Sequence, residues 1–357
     1  MKHYFIENPN SGKNNKIDVV QECVIPAAEE AGIEYEIYHT TGPGDATRFC
    51  REKAQEAKDA GEKVRFYAVG GDGTLYEVVN GVYGFDNVEI TVVPKGSGND
   101  YIRLYGTEQQ FRNVANLING IPLQVDCLKV TDQDGKSEIA INQASMGLDA
   151  EACSVQGDMK KLPGAFGHMT YTLGGLYCMF TKVLNRFKVT IDGKEIPGPF
   201  IQNTAFVGQY YGSGIHGGPF ADPTDGLIDF INIQRVMSWP LMFEMMMFHW
   251  QQKFDFYKKP YVDIIRGKKM VIESPKPAAV NVDGECRPVT KCTFESVPKA
   301  FTFILPKDTT WFDDVKTKAK DFTINQGLDN REPRKTIKRY AHIFEHLVNR
   351  GLFGYRR

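Results

Sequence analysis

The first 125 residues alternate between two hydrophobic patterns. Short runs rich in β-branched and aromatic residues, at positions 2–7, 34–40, 64–69 and 88–93, predict strands. The stretches between them, at 17–31, 45–60 and 75–82, have the spacing of amphipathic helices. Strands and helices that alternate in this way predict a parallel sheet with helices on both faces.

From residue 126 the pattern changes to short alternating stretches separated by Gly, Asp and Pro turns, which is typical of an antiparallel β domain. The strands are expected at 126–131, 138–144, 186–191, 203–207, 227–233, 270–273, 279–282 and 301–305. Two helical stretches, 165–184 and 240–248, interrupt it. We therefore place an α/β domain at residues 1–125, a mainly antiparallel domain at 126–305 and a separate tail at 331–357.

Composition narrows the class of protein further. The net charge of −1 gives no general attraction to nucleic acid, although residues 331–357 carry eight Lys/Arg against two acids. No run approaches the ~18 apolar residues of a membrane span, and the first residues lack a signal-peptide pattern. The seven cysteines are scattered without a C-x-x-C pair, which disfavours zinc and indicates reduced thiols in a cytosolic protein.

Three loops of the first domain each follow a predicted parallel strand. They are Asn8-Pro9-Asn10-Ser11-Gly12-Lys13, Gly70-Gly71-Asp72-Gly73-Thr74 and Pro94-Lys95-Gly96-Ser97-Gly98-Asn99-Asp100. Ligands bind outside the carboxyl ends of the strands in open α/β sheets, so the loops should meet at one crevice. Glycines let the backbone approach a phosphate, and N–H groups at the next helix start bind it. A phosphate site is therefore predicted there.

The middle loop carries a carboxylate among its glycines. Asp72 would repel a phosphate unless a divalent cation or a substrate hydroxyl lies between them, and a metal–nucleotide complex resolves this conflict. Thr74 and Glu77 have the spacing of a capping box, which predicts a helix that starts at Leu75. Neither the Walker pattern nor the G-x-G-x-x-G dinucleotide pattern fits any of the three loops.

These loops and four later motifs together resemble the bacterial diacylglycerol kinases and sphingosine kinase-like lipid kinases. The later motifs are Thr40 with Gly44-Asp45-Ala46, Ala144-Ser145-Met146-Gly147-Leu148-Asp149-Ala150, Ala221-Asp222-Pro223-Thr224-Asp225-Gly226-Leu227 and Asn281-Val282-Asp283-Gly284-Glu285. The Gly-Gly-Asp-Gly-Thr loop alone is also found in NAD kinases. The resemblance spans about residues 1–308. It implies an NAD kinase-like α/β nucleotide domain, a β-sandwich domain with the lipid site, and a return to the first domain at 306–330.

The resemblance also implies the residues that bind the expected cofactors, ATP and Mg²⁺. The matching nucleotide positions are Asn8, Ser11, Gly12, Lys13, Thr40, Gly70, Gly71, Asp72, Gly73, Thr74, Glu77 and Ser97. Ser97 stands where the family usually has Thr, and Lys95 replaces a commonly apolar residue and would add a phosphate contact. A structural Mg²⁺ site is implied at the Asp225 carboxylate and the main-chain oxygens of Asp222 and Leu227.

The expected catalytic residues are Glu285, Asp283 and Asp72. Asp283 and Glu285 lie two positions apart, so on a strand they would face the same side. In the resembling family the proton acceptor lies in this motif, and we favour Glu285, with Asp283 orienting the lipid head group or bridging to metal. Asp72 is the alternative base, and a hairpin turn is the simpler interpretation of Asp283-Gly284-Glu285.

The expected reaction is transfer of the γ-phosphoryl group of ATP to a lipid hydroxyl, most simply that of diacylglycerol. The alternatives are a soluble-metabolite kinase resembling NAD kinase, a kinase for a sphingoid base or another lipid alcohol, and a non-catalytic nucleotide sensor. The sensor is disfavoured by the presence of Lys13, Asp72, Asp225 and Glu285.

The expected partner is a lipid substrate at a membrane surface, with the cytoplasmic protein associated peripherally. No nucleic acid is expected, and a homodimer is left open. The apolar residues of 165–184 and 242–247 either line an acyl-chain channel or belong to the core. The basic, amphipathic tail at 331–357 either anchors the protein to anionic lipid or packs on the first domain.

Overall fold

Four parallel strands form the first part of the protein, in a computed structural model that describes residues 1–12, 17–159, 186–234 and 262–312. They are β1 (Lys2–Glu7), β2 (Tyr35–His39), β3 (Val64–Gly70) and β4 (Val88–Pro94), in the order β4-β3-β1-β2. A π-helical turn (Val20–Val24) leads into α1 (Ile25–Ala31), and α2 (Asp45–Asp59) and α3 (Asp72–Val82) follow β2 and β3. The predicted parallel sheet is confirmed, and each strand end lies within one residue of its predicted position.

Burial explains why these segments adopt their structures. Every residue of β3 is buried, as expected for a central strand with helices on both faces. Helix α2 buries Ala46, Phe49, Cys50, Ala54 and Ala57, whose spacing forms one apolar stripe. A 3₁₀ turn (Tyr101–Leu104) and the short helices α4 (Glu108–Arg112) and α5 (Val114–Ile118) then connect β4 to the second part.

The second part is an antiparallel β-sandwich domain. Its elements are β5 (Ile121–Asp132), β6 (Ser137–Ala140), β7 (Gln143–Gly147), α6 (Leu148–Met159), β8 (Lys188–Ile191), β9 (Lys194–Ile196), β10 (Phe200–Phe206), β11 (Tyr210–Tyr211), β12 (Ile215–His216), β13 (Ile228–Gln234), β14 (Val262–Gly267), β15 (Lys269–Val282) and β16 (Glu285–Leu305). The predicted fold class is thus confirmed in both parts.

Four of the predicted strand segments differ most clearly from the observed strands. The stretch 138–144 is two strands with different partners, because the backbone between β6 and β7 bonds to the side chain of Asp283 instead of to a ladder. Segments 270–273 and 279–282 are one strand, β15, whose register shifts between Glu273 and Ala278. Segment 301–305 is only the end of β16.

Strand β16 joins the two parts. It pairs antiparallel with β15 and β5, and its last residues pair parallel with β4 through Thr302–Glu89 and Phe303–Ile90. The main sheet therefore runs continuously as β14-β13-β10-β7-β15-β16-β4-β3-β1-β2. Phe301, Phe303 and Leu305 lie in the same hydrophobic core as β1 and β3. The predicted domain boundaries stay a prediction.

Candidate active site

The three glycine-containing loops meet at the carboxyl ends of β1, β3 and β4, as the sequence predicts. A Cβ atom on Gly96 would lie 2.5 Å from the Cα atom of Gly71, and one on Gly12 would overlap the carbonyl oxygen of Lys95. The loops border a cleft of about 700 Å³. The cleft is also lined by residues of the sandwich domain, at positions 141–143, 211–213, 283 and 284. It therefore lies between the parallel sheet and the β-sandwich.

Asp72 is the first residue of α3, after the N-cap Gly71, and it lines this cleft. Its Oδ1 atom accepts hydrogen bonds from the N–H groups of Asp100 at 2.7 Å and Tyr101 at 3.4 Å. Removal from water, and then the charge of Asp100, raise the pKa of Asp72 to about 6. A carboxyl group with such a pKa can hold or release a proton near neutral pH.

Asp283 and Gly284 form the two-residue turn between β15 and β16, with φ angles of 47° and 102°. The expectation that Asp283 and Glu285 face one side of a strand is wrong, because the chain reverses between them. The Asp283 carboxylate accepts N–H groups of Ile141 at 2.8 Å and Gln143 at 2.8 Å. Desolvation of this carboxyl group, the largest cause, raises the pKa of Asp283 to about 7. Asp283 therefore ties the turn to the segment between β6 and β7.

Glu285 begins β16 beside Gly284, which lines the cleft, whereas Glu285 itself is exposed and is not part of the lining. Partial burial raises the pKa of Glu285, and the charges of Glu77 and Glu138 raise it further. Its carboxylate is thus accessible to a ligand at the edge of the cleft.

Sequence reasoning missed two further carboxyl groups that line the cleft, Asp100 and Asp149. Asp100 is buried and accepts N–H groups of Ser213 at 2.8 Å and Gly214 at 2.6 Å. Asp149 is buried in the first turn of α6 and accepts the Ser145 hydroxyl at 2.8 Å. Burial raises the pKa of Asp149 to about 6. Both lie in the motifs noted above, Asp100 at the end of the third glycine-containing loop and Asp149 within residues 144–150, and those motifs were the available signal.

The residues predicted to bind the nucleotide fall into two groups by position. Those that line the cleft are Ser11, Gly12, Gly71, Asp72, Gly73 and Ser97. The cleft lining does not include Asn8, Thr40 and Gly70, which lie at the strand ends. The Thr40 N–H donates to Glu7 O at 2.8 Å, and the Asn8 N–H donates to Val69 O at 3.1 Å, so these two residues hold neighbouring strand ends together. Their ATP contacts stay predictions.

The predicted capping box at Thr74 and Glu77 is wrong. Helix α3 begins at Asp72, so Thr74 lies inside its first turn, where its buried Oγ1 has no hydrogen-bond partner within the described ranges. The Glu77 carboxylate accepts N–H groups of Gly44 at 3.0 Å and Ala46 at 3.1 Å. Glu77 therefore supports the start of α2, a long-range contact that local spacing does not reveal.

Two lysines were expected near the phosphates. Lys13 lies outside the described residues. Lys95 lines the cleft, and its Nζ atom lies 2.6 Å from Glu7 Oε1.

The predicted Mg²⁺ residues lie in a loop before β13, but their side chains are engaged otherwise. Asp225 Oδ1 accepts the Leu227 N–H at 2.9 Å, and Asp225 Oδ2 lies 3.2 Å from Arg266 Nη1. Asp222 Oδ1 accepts the N–H and hydroxyl of Thr224. Among the described residues no three acidic, His or Cys side chains are arranged to hold a metal. Arg266 thus offsets the charge of Asp225 in the structure, and the predicted Mg²⁺ site stays a prediction.

Besides Lys13, three predicted segments lie outside the described residues: the apolar stretches 165–184 and 242–247, and the tail 331–357. The predicted return at 306–330 is described only to residue 312. Within the described part of the chain, no helix is long and apolar enough to cross a membrane.

Comparisons with known proteins cover both parts of the fold. The model of the diacylglycerol kinase catalytic domain matches residues 2–130, and that of the YegS C-terminal NAD kinase beta sandwich-like domain matches residues 142–305. The chain is 29% identical to the diacylglycerol kinase of Bacillus subtilis strain 168 over 234 residues, which is 64% of this chain and 73% of that protein. It is 27% identical to the diacylglycerol kinase of Staphylococcus carnosus strain TM300 over 305 residues, 85% of this chain and 94% of that one. The crystal structure of a diacylglycerol kinase from Bacillus anthracis strain Sterne has the same fold, with a TM-score of 0.60 at 21% identity, over 85% of this chain and 96% of that chain.

Proposed function

Because this chain belongs to the family of diacylglycerol kinases and related lipid kinases, we propose that it transfers the γ-phosphoryl group of ATP to the hydroxyl of diacylglycerol, giving phosphatidic acid. One observation carries the proposal: a single cleft combines three glycine loops with the carboxyl groups of Asp72, Asp100, Asp149 and Asp283. Phosphoryl transfer needs bound phosphates, an aligned hydroxyl and a proton acceptor.

The glycine side of the cleft supports nucleotide binding. A side chain on Gly96 would collide with Gly71, and both glycines line the cleft beside the start of α3, whose main-chain N–H groups would bind phosphate. Mg²⁺ bound to nucleotides uses one or two protein carboxylates together with phosphate oxygens. Asp72 would supply one such carboxylate, and the Mg²⁺ it would help to hold would offset phosphate charge.

Accessibility supports Glu285 as the proton acceptor. The Asp283 oxygens accept three main-chain N–H groups, from Ile141, Asn142 and Gln143, which leaves Asp283 poorly placed to bind a hydroxyl. The Glu285 carboxylate is exposed next to the cleft. The turn that Asp283 holds would present Glu285 to the lipid hydroxyl, while Asp72 serves the nucleotide side.

The polarity of the acceptor side supports a neutral lipid alcohol. The carboxyl groups of Asp149 and Asp283 lie in the wall on this side. Such a surface repels an anionic phosphate group on the acceptor but not a neutral alcohol. This polarity favours diacylglycerol over phosphatidylglycerol as the acceptor.

A diacylglycerol acceptor stays in the bilayer, so we propose that the protein binds the membrane surface peripherally. The positive charge of residues 331–357 supports this, since each base near an anionic surface contributes ~1 kcal/mol. A chain ending at residue 330 is expected to bind anionic vesicles more weakly and to retain activity on detergent-dispersed lipid.

The acceptor can be tested with radiolabelled ATP and mixed micelles that contain diacylglycerol, phosphatidylglycerol or a sphingoid base, one at a time. We expect labelled phosphatidic acid and little label in the other two. Equal or greater labelling of phosphatidylglycerol would contradict the polarity argument, and turnover of a water-soluble acceptor without micelles would favour a metabolite kinase.

A further inference from the structure

A buried ion pair joins two of the glycine loops at the cleft. Glu7 is the last residue of β1 and is only 7% exposed, and Lys95 follows β4 directly. Lys95 Nζ lies 2.6 Å from Glu7 Oε1, and the side chain of Lys95 packs against Gly12 of the first loop. The other Glu7 oxygen lies 2.5 Å from His39 Nδ1 at the end of β2. Three strand ends thus fix the position of the lysine.

The charges that line the cleft are mostly negative. Asp72, Asp100, Asp149 and Asp283 all lie in its wall, whereas Lys95 is the one cationic side chain among the lining residues that the structure describes. A nucleoside triphosphate adds several further negative charges, so the phosphate end of the cleft requires a compensating cation.

We propose that Lys95 binds a phosphate group of the nucleotide and that Glu7 is the residue that positions it. This proposal rests on the proposed function. Protein kinases use the same combination, in which a lysine that contacts the phosphates is oriented by an ion pair with a glutamate. Here both partners come from loops next to the glycines that approach the phosphates, and the pairing keeps the Lys95 side chain at the cleft.

The alternative is a structural clamp, in which the ion pair only fastens two loops. Lys95→Met removes the cation under both interpretations. It also leaves the Glu7 carboxylate buried without this partner, and an uncompensated buried charge destabilises the fold in itself. The double variant Glu7→Gln/Lys95→Met removes that uncompensated charge. Glu7→Gln alone keeps an oxygen that accepts from Lys95, while it removes the negative charge that offsets the lysine.

The test is calorimetric binding of a non-hydrolysable ATP analogue, with Mg²⁺ and without lipid, and of adenosine as the ligand that lacks phosphate. We expect Lys95→Met and the double variant to bind the analogue roughly ten- to a hundredfold more weakly, as for one lost hydrogen bond to a charged group. Adenosine affinity should not change, and Glu7→Gln should bind the analogue more tightly than wild type. Thermal unfolding of each protein checks that it is folded.

A double variant that binds the analogue like wild type would overturn the proposal and leave a clamp. A loss of adenosine affinity in Lys95→Met equal to its loss of affinity for the analogue would also overturn the proposal, because it would come from disrupted loops and not from a missing phosphate contact. Wild-type protein that binds no ATP analogue would overturn the proposed function as well, so the two failures are distinguishable.

Discussion

Replacement of Asp149 by Asn should stabilise the protein at alkaline pH. Asp149 is buried, its Oδ2 accepts the Ser145 hydroxyl at 2.8 Å, and its Oδ1 accepts the Ala150 N–H at 2.8 Å. Burial outweighs these two bonds and raises the pKa of Asp149 from 3.8 to about 6. Asn has nearly the same shape and no charge. Its Oδ1 can accept the Ala150 N–H and its Nδ2 can donate to the Ser145 hydroxyl oxygen, so Asp149→Asn removes the buried charge while both partners stay satisfied.

The magnitude follows from linkage between protonation and folding. Because the folded-state pKa lies above the unfolded value, ionisation destabilises the fold: stability falls as pH rises from about 4 to about 6 and is constant above that. One pKa unit corresponds to about 1.36 kcal/mol, so a pKa that changes from 3.8 to about 6 on folding lowers the free energy of unfolding by about 3 kcal/mol at pH 8. At pH 4 the carboxyl group is mostly protonated in the folded protein, and the free energy of unfolding is lowered by only about 0.5 kcal/mol.

Urea unfolding of wild type and Asp149→Asn at pH 8 and pH 4 measures this difference. We expect the variant to be more stable at pH 8 by a few kcal/mol and nearly equal at pH 4. Ser145→Ala is the matched control, since it removes a donor to the carboxylate and should destabilise more at pH 8 than at pH 4. A variant that is destabilised equally at both pH values would refute the assignment of a buried, uncompensated charge to Asp149.

Three further outcomes are expected. The kcat/KM for lipid phosphorylation should fall as pH decreases through about 6, because the ionised Asp72 carboxylate is required; a profile that stays flat to pH 5 would contradict this. Glu285→Gln should reduce transfer by roughly 10²–10⁴-fold with unchanged Tm and ATP affinity, and normal turnover would move the base elsewhere. Gly96→Ala, whose methyl group would lie 2.5 Å from Gly71 Cα, should lose roughly 1–3 kcal/mol of stability and bind ATP weakly. Gly42→Ala, with nothing within 4 Å of the added methyl, is its control, and equal Tm values would contradict the packing argument.

The sequence predicts the parallel sheet and the meeting of its three loops well, because both depend on local patterns. Runs rich in β-branched and aromatic residues mark each strand, and the rule that ligands bind at the carboxyl ends of parallel strands brings distant loops together. The same reasoning locates Gly71 and Gly96 near one another, although only the structure shows that Gly96 could not carry a side chain.

Long-range contacts account for what could not be predicted. The spacing of Thr74 and Glu77 fits a capping box, yet Glu77 bonds to the backbone of α2, which lies 31–33 residues earlier. Asp283 bonds to Ile141 across 142 residues, and that contact splits one predicted strand into two. Asp149 becomes a titrating group through burial alone, and burial depends on the whole fold.

The central claim is that this cleft transfers phosphate from ATP to diacylglycerol with Asp72 on the nucleotide side. The most direct test follows radiolabel from the γ-phosphate of ATP into lipid, in diacylglycerol micelles, for wild type and for Asp72→Asn of equal Tm. We predict that wild type produces labelled phosphatidic acid and that the variant loses nearly all of this activity. Label that appears only in a water-soluble product, or a folded variant that labels lipid at the wild-type rate, would contradict the claim.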